Sequence, residues 1–221
     1  MEITQNDIKF IKWISHKFGY PLDEMEKYAY ENYIPIAKLE VADFLSFIVK
    51  LKKPNNILEI GTAIGYSTII MAKAYSEVSV VTIERDINLA EIAKENFKKA
   101  KVENRIELIY GEAQQVLPNL TKMYDLIFVD AAKGQYIEFY KELKRLLNRE
   151  GIILWDNILY KGYVVNEKNV KHKRRTIVYR MREFIEILYQ DKTLYTIILP
   201  LGDGLAVSFK EVETVEVSSK K

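Results

Sequence analysis

Four residues in the second half of the chain have the types and spacing for polar chemistry: Asp130, Lys133, Asp156 and Asn157. Asp130 ends the apolar run 125–130 and is followed by Ala131, Ala132 and Lys133. Asp156 ends the run 152–156, with Asn157 next. If both runs are adjacent strands of one sheet, two carboxylates and an amide oxygen converge as an oxygen-only set of charge −2. Octahedral Mg²⁺ takes about six oxygens and keeps water or substrate oxygens where the protein leaves positions open. Two neighbouring oxygens of one substrate would fit there. A hydroxyl so held deprotonates more easily and is oriented for in-line attack on a methyl group. Lys133 follows Asp130 closely enough to reach the same hydroxyl. Desolvated beside a cation, its pKa would fall, which makes it the candidate general base. Taken singly, each aspartate reads as a helix cap or a loop carboxylate. Together with Asn157 and Lys133 at neighbouring strand ends, they read as a metal site.

A second constellation runs from Ile57 to Ser67: Ile57-Leu58-Glu59-Ile60-Gly61-Thr62-Ala63-Ile64-Gly65-Tyr66-Ser67. An apolar strand enters a glycine turn that opens a helix, so backbone N–H groups can approach a nucleotide-like ligand. The spacing is G-x-x-x-G, not the G-x-G-x-x-G of dinucleotide sites, and no phosphate-cradling lysine comes after it. Glu84 ends the next apolar run, where a carboxylate can accept both hydroxyls of a ribose. The third run ends at Gly111-Glu112-Ala113-Gln114, a small-residue turn suited to an adenine. The ligand expected is a nucleoside without pyrophosphate, and S-adenosylmethionine fits that description.

These residues need a scaffold, and the periodicity supplies one. Val41, Phe44, Leu45, Ile48 and Leu51 recur at helical spacing before Pro54. Residues 5–31 also read as mostly helical, with a break near Gly19-Tyr20-Pro21. After Pro54, apolar runs at 56–60, 78–84, 106–110, 125–130 and 152–156 alternate with amphipathic segments such as Ile87 to Ala100 and Tyr136 to Leu147. That alternation predicts a parallel sheet covered on both faces. Leu194 to Pro200 and Leu205 to Lys210 flank Leu201-Gly202-Asp203-Gly204, a hairpin signal that predicts an antiparallel last strand. The expectation is one domain over 1–221: N-terminal helices at 1–53, an α/β core at 54–210 and a tail at 211–221.

Composition removes several alternatives. The 221 residues include no cysteine, so disulfides and thiolate zinc sites are excluded. His16 and His172 are the only imidazoles, which excludes a multi-histidine metal centre. No apolar run approaches the length of a membrane span, and the first residues are polar and acidic, so a cytoplasmic location is expected. The net charge of +2 decides no partner. Its distribution does: Lys161, Lys168, Lys171, Lys173, Arg174, Arg175, Arg180 and Arg182 crowd one stretch in which Glu167 is the sole acid. Such a run is often a solvated helix face, but beside a candidate active site it suits phosphate contacts.

The 57–67 motif, with Asp130-Ala131-Ala132-Lys133 and Asp156-Asn157, resembles the magnesium-dependent catechol and caffeoyl-CoA type O-methyltransferases, over roughly residues 30–210. The resemblance implies a Rossmann-like class I methyltransferase: a seven-stranded, mostly parallel sheet with an antiparallel last strand and helices on both faces. It implies that Ile36, Glu59, Gly61, Tyr66, Ser67, Glu84, Gly111, Glu112, Ala113 and Asp130 surround S-adenosylmethionine. By the same resemblance, Asp130, Asp156 and Asn157 hold Mg²⁺, Asp130 and Lys133 act in catalysis, and the chain is a homodimer. The match departs in one place. The catechol enzymes carry bulky residues where this chain has Ala131-Ala132, which leaves a wider entrance.

A narrower resemblance accounts for that width. Leu199 to Ala206 and the basic segment Lys171-His172-Lys173-Arg174-Arg175-Thr176 are similar to the bacterial tRNA 5-hydroxyuridine methyltransferases. It implies the tRNA anticodon loop as partner, with Lys173, Arg174 and Arg175 on RNA. In 5-hydroxyuridine the 5-hydroxyl sits beside the O4 carbonyl, a vicinal oxygen pair like that of a catechol. A wobble base lies in a loop, where it splays out at low unstacking cost. Tyr160, Tyr163 and Tyr179 are candidates to stack it. The competing expectation keeps the same site for a small catechol or caffeoyl ester.

Overall fold

The computed structural model describes Phe10, residues 18–19, 21–166 and 172–211, with the Lys173 side chain outside that set. Most of the expected helix before Gly19, the His16 position and the tail beyond Glu211 lie outside the described residues. Helix α1 (Leu22–Glu31) and helix α2 (Leu39–Lys52) precede the sheet. In α2, Val41, Ala42, Leu45, Ile48 and Val49 are buried, which is the expected helical spacing. Leu51, assigned to that face by periodicity, is exposed instead, because the helix ends one residue later and Lys53 turns into a left-handed conformation.

Seven strands make up the core: β1 (Asn56–Ile60), β2 (Ser79–Glu84), β3 (Ile106–Tyr110), β4 (Tyr124–Val129), β5 (Leu147–Trp155), β6 (Leu194–Leu199) and β7 (Leu205–Lys210). They form one sheet in the order β3-β2-β1-β4-β5-β7-β6. Strands β1 to β5 are parallel, and β7 inserts antiparallel between β5 and β6. Right-handed crossovers need helices on both faces. One face carries α1, α2, α3 (Tyr66–Ala74) and α4 (Ile87–Ala100); the other carries α6 (Tyr136–Leu146) and α7 (Arg175–Gln190). A single turn, α5 (Ala113–Val116), comes after β3. Helix α4 begins where Asp86 accepts the backbone N–H of Asn88 at 2.9 Å, an N-cap of the ordinary kind.

Strand β5 begins five residues before the run 152–156 predicts. Leu147 pairs with Tyr124, and the register then jumps so that Leu126 faces Ile152. Glu150 takes a positive φ of 56° to make the bulge. Within β5 only Leu147 and residues 151–155 are buried, so the early segment carries no apolar run to read. On the α6/α7 face, Trp155 packs edge-on against Phe184 at 4.8 Å between ring centroids, with Tyr136 at 5.6 Å from Phe184. Trp155 donates from Nε1 to Ser208 Oγ at 3.2 Å, so its one polar atom is satisfied across to β7.

Asp191, just after α7, ties this face together. It accepts from the Lys144 ammonium, the Tyr140 hydroxyl and the backbone N–H of Thr193. Burial works against its charge, but these donors outweigh it and hold the carboxyl well below the usual range. A depressed carboxyl stabilises the fold above its unfolded pKa of about 3.9 and stops doing so as the pH falls through the folded value. Asp191→Asn should therefore lower the unfolding free energy by about 1–2 kcal/mol at about pH 7. In urea titrations its gap to wild type should narrow towards about pH 2. A gap that stays constant with pH would show that the charge is not what stabilises.

Candidate active site

The ladder does not stop where the strands do. Asp130 N–H donates to Ile60 O at 2.9 Å, Asp156 N–H to Val129 O at 2.9 Å, Gly61 N–H to Ile83 O at 3.0 Å and Gly111 N–H to Glu84 O at 2.9 Å. Each residue just beyond a strand is thus fixed by the neighbouring strand. Gly61, Glu84, Gly111, Asp130 and Asp156 consequently stand in one row along the carboxyl edge, where open α/β sheets bind ligands.

A cavity of about 360 Å³ opens at that row. Ile36, Gly61, Tyr66, Ser67, Glu84, Gly111, Glu112, Ala113, Asp130 and Lys133 all line it. So do Pro35, Ala37, Arg85, Gln135 and Phe139, none of which has a sequence motif to mark it. Gly61 adopts φ +98°, and a Cβ added there would lie 2.2 Å from the Asp130 carbonyl oxygen. Gly65 caps α3 at φ +86°, with Phe97 pressed against it. The turn therefore needs glycine at both positions, for the conformation and for the close approach.

Glu84 is pre-oriented. Its Oε2 accepts Ala63 N–H at 2.8 Å, and its Oε1 accepts Arg85 and Asp86 N–H, each at 2.9 Å. Glu59, by contrast, does not line the cavity. It lies fully buried beneath the turn and accepts hydroxyl bonds from Ser67 at 2.5 Å, from Thr82 at 2.6 Å and from Thr68. Burial pushes its carboxyl up to about 7 against the pull of those hydroxyls. Its visible work is to hold Ser67 and the floor in place. Tyr66, which also lines the cavity, donates from its hydroxyl to Glu26 of α1 at 2.5 Å.

Asp130, Asp156 and Asn157 do come together. Asn157 Nδ2 donates to Asp130 Oδ1 at 2.9 Å, and Asn157 N–H donates to Asp156 Oδ1 at 2.7 Å. Asn157 takes a left-handed φ of 57°, held because the next residues bond to the β6–β7 hairpin. Ile158 N–H reaches Gly204 O at 2.9 Å, and Leu159 N–H reaches Asp203 O at 3.0 Å. Burial raises the Asp130 carboxyl, opposed by Lys133 and the Asn157 bond. Burial and then the Asp130 charge push Asp156 up to about 7, opposed by the Asn157 bond, Lys133 and Lys38. Two desolvated carboxylates that repel each other, with an amide oxygen beside them, suit a hard divalent cation. Among the described residues no three acidic or imidazole side chains gather, so any such ion would take the amide and non-protein oxygens too.

The basic stretch divides. Arg174 donates to the Tyr163 hydroxyl at 3.2 Å and lies 5.7 Å from that ring's centroid. Tyr160 stacks edge-on against Tyr163 at 5.8 Å. Arg180 pairs with Glu138 at 2.5 Å, and Arg182 donates to Val164 O at 2.8 Å. Arg175 is exposed. Lys168, Lys171 and the Lys173 side chain lie outside the described residues.

A nucleoside-sized cavity at the carboxyl edge of a seven-stranded sheet with a reversed last strand defines a class I methyltransferase. Residues 14–211 match the family model described as O-methyltransferase, and the chain belongs to that family. It is 34% identical to a caffeoyl-CoA O-methyltransferase of Medicago sativa, over 74% of this chain and 70% of that protein. A Staphylococcus aureus protein assigned to the caffeoyl-CoA O-methyltransferases superposes with TM-score 0.83 at 32% identity, covering 92% of this chain and 96% of that one. The SAH-bound methyltransferase PaMTH1 of Podospora anserina superposes with TM-score 0.85 at 25% identity, covering 96% of this chain and 98% of that one.

The crowding at Gly61 gives a direct test. Gly61→Ala should lower stability by about 2–3 kcal/mol, because the methyl group must displace the Asp130 backbone at an unfavourable φ. Gly134→Ala, where a Cβ meets nothing within 4 Å, should melt near wild type. Equal melting temperatures for the two variants would show that the close approach is not needed.

Proposed function

We propose that this O-methyltransferase uses S-adenosylmethionine and Mg²⁺ to methylate 5-hydroxyuridine at the tRNA wobble position, giving 5-methoxyuridine. The observation that carries this reading is the Asp130–Asp156–Asn157 set, whose Asp130 lines the cavity with the small side chains of Ala131 and Ala132 beside it. Those two small residues would leave room for a base presented from a loop. Glu84 would accept the donor's ribose hydroxyls, with its oxygens already aimed by backbone N–H groups. The Gly111–Ala113 turn would face the adenine, and Ile36 and Ala37 would shield the donor from water.

S-adenosylmethionine, when bound, supplies an electrophilic methyl group and leaves as S-adenosylhomocysteine. Asp130, Asp156 and Asn157 would hold Mg²⁺, whose charge favours an ionised substrate hydroxyl. Lys133, at the cavity wall, would take up the hydroxyl proton. Tyr136 fixes the geometry from below: its hydroxyl donates to Asp156 O at 2.9 Å. Exposed Arg175, and Arg174 on its tyrosine, would meet phosphates.

A second reading has its own support. Arg180 and Arg182 are engaged within the protein, and the relatives act in name on caffeoyl-CoA, so a small catechol or caffeoyl ester is the rival substrate. Labelled methyl transfer to tRNA bearing 5-hydroxyuridine, with nucleosides weighed by mass spectrometry, separates the two. Metal-dependent 5-methoxyuridine is expected, and Asp156→Ala should cut it about a hundredfold or more. Turnover of a catechol with none on tRNA would overturn the tRNA assignment. Full activity of the variant in chelator would overturn the metal role.

A further inference from the structure

Lys38 carries no motif, yet the fold brings it to the acidic set. It is the N-cap residue of α2, and its carbonyl accepts the N–H groups of Val41 and Ala42, each at 2.9 Å. The three residues before it, Pro35 to Ala37, line the donor cavity, so its backbone is fixed at the rim. Its stem lies along the β6–β7 turn. A Cβ built on Gly202 would be 3.8 Å from Lys38 Cδ and 3.8 Å from Asp156 Oδ1, which places both beside the same point. The residue is exposed, and among the described residues its ammonium makes no ion pair or hydrogen bond.

The two lysines at the site come from opposite faces of the sheet. Ala37 and Val41, on either side of Lys38, belong to the core of the α1–α4 face. Ala131 and Tyr136, on either side of Lys133, belong to the α6/α7 face, which also carries Arg174 and Arg175 at the start of α7. Lys133 sits in the cavity wall, whereas Lys38 stands outside it with its charge in water. A solvated ammonium that makes no hydrogen bond or ion pair among the described residues and acts on the acidic centre only through its field adds little to the fold and is placed to meet an anion that arrives with the substrate.

We propose that Lys38 contacts a phosphate of the polynucleotide on the α2 side of the target nucleotide, opposite the contacts of Arg174 and Arg175. The strand is then held from both faces of the sheet while one base enters between them. This rests on the tRNA reading of the site. It makes the α1–α2 connection, which no basic motif marks, part of the substrate surface.

The test uses the full chain and an anticodon stem–loop carrying 5-hydroxyuridine, with Lys38→Ala and Lys38→Arg beside wild type. Binding is measured across a salt series, and transfer is resolved into kcat and KM. Lys38→Ala should raise KM about fivefold, with a much smaller change in kcat, and should reduce the slope of log K against log salt by about one. Lys38→Arg should restore both, because either cation can meet a phosphate. Unchanged slope and KM in Lys38→Ala, with wild type binding the stem–loop normally, would overturn the role of Lys38 alone. So would a loss confined to kcat, which would move Lys38 to the reacting centre. Failure of wild type to bind or methylate the stem–loop would overturn the tRNA reading and this contact with it.

Discussion

The site depends on one constraint: parallel pairing that continues a residue past the ends of β1, β3, β4 and β5. Because a carbonyl at or next to the end of each neighbouring strand captures the first N–H beyond it, Gly61, Gly111, Asp130 and Asp156 are placed with the precision of sheet rather than of loop. The contact is closest where Gly61 passes the Asp130 carbonyl, with no space for a side chain. Donor cavity and acidic set therefore share one piece of backbone. A change on one side of that contact is transmitted to the other.

Around this edge the protein concentrates charge where water is scarce. Glu59, Asp130 and Asp156 all lie in surroundings that resist ionisation. They are handled differently. Glu59 is surrounded by three hydroxyl donors and serves as a structural anchor beneath the turn. Among the described residues, Asp130 and Asp156 have only Asn157 as a direct hydrogen-bonding partner for their carboxylates, besides the positive field of Lys133 and Lys38. Buried like charges without full compensation are costly in free energy. They persist where something else stabilises them in the working state, and here a bound cation would do so.

The loop after β5 shows how distant segments cooperate. Its left-handed residues at 157 and 160–162 are held by the β6–β7 hairpin, and Asp203 accepts Lys161 N–H. The last two strands thus do more than close the sheet. They aim Asn157 at Asp130 and seat Gly202 between Lys38 and Asp156. Tyr160 and Tyr163, which pack on each other, belong to the same loop, and Arg174 lies over the Tyr163 ring.

Some of this was legible in the residues. Alternating apolar runs, the glycine turn and the hairpin signal are local patterns, and each is dictated by backbone sterics and side-chain period. They were enough to place the strands, the reversed last strand, and the row of Glu84, Gly111, Asp130 and Asp156 at strand ends. Other features depend on who packs beside whom. Glu59 reads from its motif as a donor ligand, but the ladder turns it beneath the floor, where Ser67, Thr68 and Thr82 meet it. The start of β5 hides because its bulge interrupts the apolar run. Arg180 and Arg182 look free in a basic stretch until Glu138 and the Val164 carbonyl come within reach. Lys38 stands far along the chain from Asp156, and only packing of α2 on the β6–β7 turn brings them together. Sequence alone determined which elements form and what chemistry they carry at their ends, because local periodicity dictates both. Tertiary structure decided which of those groups face the cavity, which serve the core, and which are brought in from remote segments, because burial and pairing are set by contacts that no local window contains.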